Sequence, residues 1–266
     1  MSEQQEVIAE LGDAGVLAGV RWAYLSATAR SLETYSEPDG HDSAWLGSTR
    51  YTLFRDRLDR VFACERYAVD SGNDDADLDL LYDQLSEKDI TAMPKLNADV
   101  VRRANLNGSP GWAYGQIRFL LASCVFGNLD RLPWSQKSQT KQQVAGQRNP
   151  EPSQPSLFED LTPEEVGGLE MLASGQELDL TTYVVAHSLD PLSQQAELVL
   201  GRARLNAGGG QAWHWRYDLL GTPSAAGGRR TDGTPFPTGP NTVPDAPVRL
   251  RRSVEERRND RSSGEV

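Results

Sequence analysis

Cysteine, histidine and lysine are all scarce in this 266-residue chain, and each shortage closes off a class of chemistry. The two cysteines, Cys64 and Cys124, stand sixty positions apart in apolar surroundings and belong to no CxxC or Cys/His spacing. No metal site and no redox pair is expected from them, only buried reduced thiols. The three histidines, His41, His187 and His214, are too scattered to form a hydrolase or metal centre by spacing. Lysine occurs only at 88, 95, 137 and 141, so no strand acid is followed by the ExK of a nuclease core. Arginine carries the positive charge instead, the usual imprint of a GC-rich genome, and a bacterial source is the expectation. No window approaches the roughly eighteen apolar residues of a membrane span. The opening Met1-Ser2-Glu3-Gln4-Gln5-Glu6 lacks the layout of a signal peptide. The expectation is a cytoplasmic protein with no membrane partner. Phosphate loops, GxGxxG turns, GxSxG elbows and HExxH pairs are absent too. No catalytic motif and no cofactor site is found, and the chain reads as non-catalytic.

A net charge of −11 argues against direct coating of nucleic acid, which rests on cations that neutralise phosphates. Any nucleic-acid role is expected to be indirect. The charge is uneven: residues 131–156 carry four basic and one acidic side chain, and residues 221–266 carry eight and six. Both stretches are poor in large apolar residues.

Along the chain, residues 14–35 are rich in alanine and leucine and predict a largely buried helix. Tyr51, Phe54, Leu58, Val61 and Phe62 recur at three-and-four spacing and predict a second, with Arg55–Asp59 and Asp56–Arg60 pairing on its outer face. Acidic residues from Asn73 to Asp79 fail the EF-hand pattern and read as a negative first helical turn. Ser109-Pro110 followed by apolar residues up to Phe126 favours a helix over 112–126, with a strand across Trp112 to Leu121 as the alternative. Residues 135–156 read as a flexible linker. Thr162-Pro163-Glu164-Glu165 forms a capping box that opens a helix ending near Gly175.

Strands are expected at Thr181–His187 and Ala196–Leu205 and across Trp213, Trp215, Tyr217 and Leu219, with 206–210 as a hairpin loop. Pairing Leu205 with Gln211 sets Arg202 across from His214, and puts Arg204 and Arg216 on the same outward face. These four make a candidate anion-binding patch, or an ordinary solvated sheet face. The fold class is therefore α+β. A mainly helical region spans 1–134, a linker 135–156, a helix with a small antiparallel sheet 157–220, and a disordered tail 221–266. One core or two is left open.

One short motif stands out. Gln154-Pro155-Ser156-Leu157-Phe158 resembles the peptide by which bacterial DNA polymerases, mismatch-repair proteins and other replication factors dock on the sliding clamp. That motif runs glutamine, usually leucine, serine or aspartate, leucine, phenylalanine; Pro155 departs at the second position. The resemblance implies a protein partner, with Gln154, Ser156, Leu157 and Phe158 as the contact residues, and implies no fold or enzymatic activity. Leu157 and Phe158 serve equally as apolar pins onto the protein's own core. The expected function is an adaptor of bacterial DNA metabolism. An enzyme or ligand-binding protein using the arginine face is the alternative, as is a structural subunit contacting its partners through the tryptophan-rich sheet.

Overall fold

In the computed structural model, residues 2–68, 80–97, 99–147, 178–206 and 210–221 are described. They form an α+β fold in which one six-stranded sheet carries helices on both faces. Helix α1 (Glu3–Asp13) begins with a capping box between Ser2 and Gln5. Helix α2 (Val16–Glu33) and helix α3 (Ser43–Val61) follow; Asp42 Oδ1 caps α3 by accepting from the Trp45 amide at 2.7 Å. A short α4 spans Glu87–Ala92 and α5 spans Gln139–Ala145.

The strands are β1 (Arg102–Arg103), β2 (Gly111–Tyr114), β3 (Ile117–Ser123), β4 (Thr181–Leu189), β5 (Ala196–Ala203) and β6 (Trp213–Asp218), paired in chain order. All neighbours are antiparallel except β3 and β4, which run parallel with Ile117 opposite Thr181 and Ser123 opposite His187. A parallel pair requires a crossover, so the chain leaves one side of the sheet and returns before β4 starts.

Helices α1–α3 bury Leu11, Tyr24 and Phe54 against Trp112, Phe119 and Leu198 on one sheet face. The opposite face is covered by α5 and by the single turns at Leu129–Arg131 and Trp134–Gln136, where Trp134 and Val144 meet Val184 and Trp213. Trp134 and Trp213 pack edge to face at 5.2 Å, and each indole N–H donates to a main-chain carbonyl, of Ala212 and Leu129 respectively. Buried indoles of this kind retain a polar partner while contributing a large apolar area.

Several expectations need correction. Residues 112–126 form the β2–β3 hairpin, not a helix. Trp112, Phe119 and Leu121 face α1–α3 while Leu120 and Ala122 face α5, so both sides of the strand are apolar and no alternation appears in the sequence. Ser109 is no helix cap; it bridges to Leu106 across Asn107-Gly108, both at positive φ (46° and 77°), a tight turn of the primed type. Since β3 pairs with β4, the helical region and the later strands share one sheet. Residues 139–145, expected as linker, form α5 with Thr140, Val144 and Ala145 buried.

Asp56 does pair with Arg60 at 2.9 Å, but Asp59 turns from Arg55 to Arg103 at 3.0 Å and to the Trp112 indole N–H at 2.9 Å. The predicted helix at 162–175, the acidic run 73–79 and the tail from 222 lie outside the described residues.

Candidate functional site

The expected arginine face is rearranged by one irregularity. Ala203 pairs with Trp213 as expected, but a bulge between Arg202 and Ala203 slips the register, so that Arg202 lies opposite Trp215 and Gly201 opposite Arg216. One extra residue in a strand sends the side chains beyond it to the other face. Trp213 therefore packs beside Trp134, whereas Trp215 and Tyr217 pack on the α1 side. Arg202 is buried and its Nη1 donates to Glu3 Oε1 at 2.6 Å, and the Trp215 indole donates to Glu3 Oε2 at 2.7 Å. Arg216 lies on the opposite face, held by Asp130 at 2.7 Å. Arg204 is exposed, and half-buried His214 has its pKa lowered, by burial first and then by the charges of Arg204 and Arg202. The four residues do not form one open patch. Gln154, Ser156, Leu157 and Phe158 lie outside the described residues.

A second polar centre gathers on α3 around the Asp56–Arg60 pair expected from the sequence, joined by Arg57, Arg66 and Tyr67. Asp56 accepts from Tyr67 at 2.6 Å and Arg66 at 2.7 Å through Oδ1, and from Arg57 at 2.6 Å and Arg60 at 2.9 Å through Oδ2. Burial alone would raise its pKa; these donors win and hold it at about 2. Nearby Asp59 shows the reverse balance, as burial outweighs Arg103 and lifts it to about 6. The Asp56 centre is saturated with donors and behaves as a structural clasp.

The third centre is unsaturated. It lies at the carboxyl ends of β3 and β4, where open sheets with parallel strands place their ligands. His187 is fully buried in β4, its ring 5.6 Å from Tyr24 of α2 and 5.4 Å from Phe54 of α3. Neither of its ring nitrogens has a hydrogen-bond partner. Burial, then the positive charges of Arg50, Lys141 and Lys137, depress its pKa to about 3, so the imidazole is neutral.

One helical turn from Phe54 stands Arg50, and one turn from Tyr24 stands Thr28. Arg50 is 5% exposed with Nε unpaired, and Thr28 Oγ1 faces the Tyr24 hydroxyl without a well-formed hydrogen bond. Tyr24 itself is committed, donating to the Ser188 carbonyl at 2.6 Å, and burial raises its pKa to about 12. Glu197 of β5 is likewise engaged, accepting from Ser188 Oγ and from the Gly127 amide. Cys124 continues β3, its amide donating to the His187 carbonyl at 3.2 Å, with a thiol raised to about 11 by burial. Lys137 Nζ donates to the Ser123 carbonyl at 2.7 Å.

Among the described residues, no group of three or more His, Cys, Asp or Glu side chains is arranged to hold a metal ion, and no helix is long and apolar enough to cross a membrane. No family model, no curated protein and no solved structure matches this chain.

Proposed function

We propose that this chain is a non-catalytic accessory protein of bacterial DNA metabolism, recruited to the sliding clamp through Gln154, Ser156, Leu157 and Phe158. The observation that carries the reading is the motif itself: a glutamine followed at a fixed interval by adjacent leucine and phenylalanine, the pattern of a peptide that fills an apolar pocket. Its place in the chain supports the reading. The motif falls within the crossover between α5 and β4, and the chain on either side is tied at one spot. Gln147 Nε2 donates to the Thr182 carbonyl at 2.8 Å, and its Oε1 accepts from the Thr182 amide at 3.0 Å. Cytoplasmic residence in a bacterium is part of the same reading. The structural-subunit alternative gains little from the sheet tryptophans, because Trp112 and Trp213 are buried between the layers and partly buried Trp215 donates its indole N–H to Glu3.

The test is binding of the purified chain to a bacterial sliding clamp by surface plasmon resonance, beside a Gln154→Ala, Leu157→Ala, Phe158→Ala variant. Micromolar binding, lost in the variant while its melting temperature is unchanged, is the expected result. A wild type that shows no binding sinks the proposal.

A further inference from the structure

Five arginines are buried among the described residues: 50, 57, 60, 118 and 202. Four of them meet a carboxylate. Arg57 and Arg60 share Asp56, Arg118 reaches Asp179 at 2.9 Å, and Arg202 reaches Glu3. Arg50 alone has no acid among the described residues, and the groups whose charge favours its cationic form are the weakly acidic Tyr24 and Cys124. A guanidinium taken out of water without a counter-charge is strongly disfavoured and does not relieve the cost by losing its proton. Folding tolerates that cost where something else supplies the charge.

Everything around Arg50 points the same way. The charges of Arg50, Lys141 and Lys137 all fall on the neutral imidazole of His187, and Glu197, which acts on Tyr24 and Cys124, is already engaged by Ser188 and Gly127. The geometry points to a binding site for a compact oxyanion, the carboxylate or phosphate group of a small ligand, held by Arg50 with Thr28 and His187 at the carboxyl ends of β3 and β4. Each group has a distinct role. Arg50 offers fixed N–H donors in the planar fork that matches an oxyanion. The Thr28 hydroxyl can turn to donate. Neutral His187 presents one N–H donor and one acceptor nitrogen, so it pairs with an anion that also carries an O–H, as hydrogen phosphate does. The near-complete burial of all three restricts the site to a small ion or to one end of a ligand. This inference is independent of clamp docking.

Thermal denaturation of the full chain tests it, with inorganic phosphate and acetate titrated separately against chloride at matched ionic strength. At a hundredfold excess over Kd, the melting temperature should rise by roughly 5–10 °C, and the more effective anion identifies the ligand group. Arg50→Leu should abolish the rise and melt no lower than the ligand-free wild type, because it removes a buried charge that had no partner. Thr28→Val, which keeps the shape of the side chain, should fold normally and weaken binding roughly tenfold by isothermal titration calorimetry. The inference is overturned if neither anion exceeds the chloride control, or if Arg50→Leu responds as the wild type does. A ligand-free Arg50→Leu protein that melts far lower also overturns it, since Arg50 would then have its partner within the chain.

Discussion

Glu3 stands in the first turn of the first helix, where fraying is the usual expectation, yet it receives three long-range hydrogen bonds. Arg202 Nη1 donates to its Oε1 at 2.6 Å, the Tyr183 hydroxyl to the same oxygen at 3.0 Å, and the Trp215 indole to Oε2 at 2.7 Å. The side chains of Glu3 and Arg202 are only 12% and 5% exposed, so the pair is close to the buried limit. Glu3→Ala would strip Arg202 of its counter-charge and two neutral donors of their acceptor. Breaking a buried pair from one side costs about 3–5 kcal/mol. At roughly 2–4 °C per kcal/mol for a chain of this size, the melting temperature should fall by roughly 6–20 °C.

Arg202→Met should cost less, because Glu3 keeps Tyr183 and Trp215 as donors. The double variant should then lie well short of the two single costs combined, with a coupling of about 2 kcal/mol. Urea unfolding of the four proteins followed by tryptophan fluorescence gives the cycle directly. A Glu3→Ala loss below about 1 kcal/mol, the range of exposed pairs, would show that α1 does not hold the sheet in this way.

Acid should unfold the protein in a window set by His187. A pKa depressed from 6.5 to about 3 means that the unfolded chain binds the proton first, so this contribution is complete above pH 6.5 and is lost as pH falls to about 3, up to roughly 5 kcal/mol. Asp59, raised to about 6, opposes it: its contribution is present below pH 3.8 and disappears as pH rises through 6. Comparing urea midpoints of wild type and His187→Leu from pH 7 to pH 4 isolates the histidine, and parallel profiles would refute its assignment as a buried neutral group. Gly201→Ala should cost about 1–3 kcal/mol in the same denaturation assay, because a Cβ there would lie 2.7 Å from both Trp213 Cε3 and the Trp215 carbonyl. A change within about 0.5 kcal/mol would contradict that packing.

The parts legible in the sequence carry either a one-sided apolar stripe or a run of strand-forming residues between turn signals. The α3 stripe of Phe54, Leu58 and Val61 opposes a charged side, and the strands at 181–189 and 196–203 carry the β-branched and aliphatic residues of a sheet. The β2–β3 hairpin reads as a helix because Ser109-Pro110 looks like a helix start and an apolar run buried on both faces shows no alternation to separate strand from helix; Asn107-Gly108, the dipeptide a primed turn favours, marks the turn between Leu106 and Ser109 that leads into β2. The β6 bulge has no signature either, since Trp213, Trp215 and Tyr217 alternate faultlessly in sequence while the slip at Arg202 sends Trp213 to the other layer. His187 reads as isolated in the sequence and Arg50 does not stand out there, for a related reason: they lie 137 positions apart, and only the packing of α3 on the end of β4 shows that among the described residues one has no acid and the other no hydrogen-bond partner.

The parallel junction between β3 and β4 also governs how the chain is made. Residues leave the ribosome in order, so α1 emerges long before its fixing partners Tyr183, Arg202 and Trp215 in β4–β6. Until β4 has emerged and added beside β3, the apolar edge of Phe119 and Leu121 has no neighbour on that side. Helix α1 is therefore fixed to the sheet late, and while residues 124–189 are being made the chain carries an open sheet edge of the kind that exposes a nascent chain to mispairing.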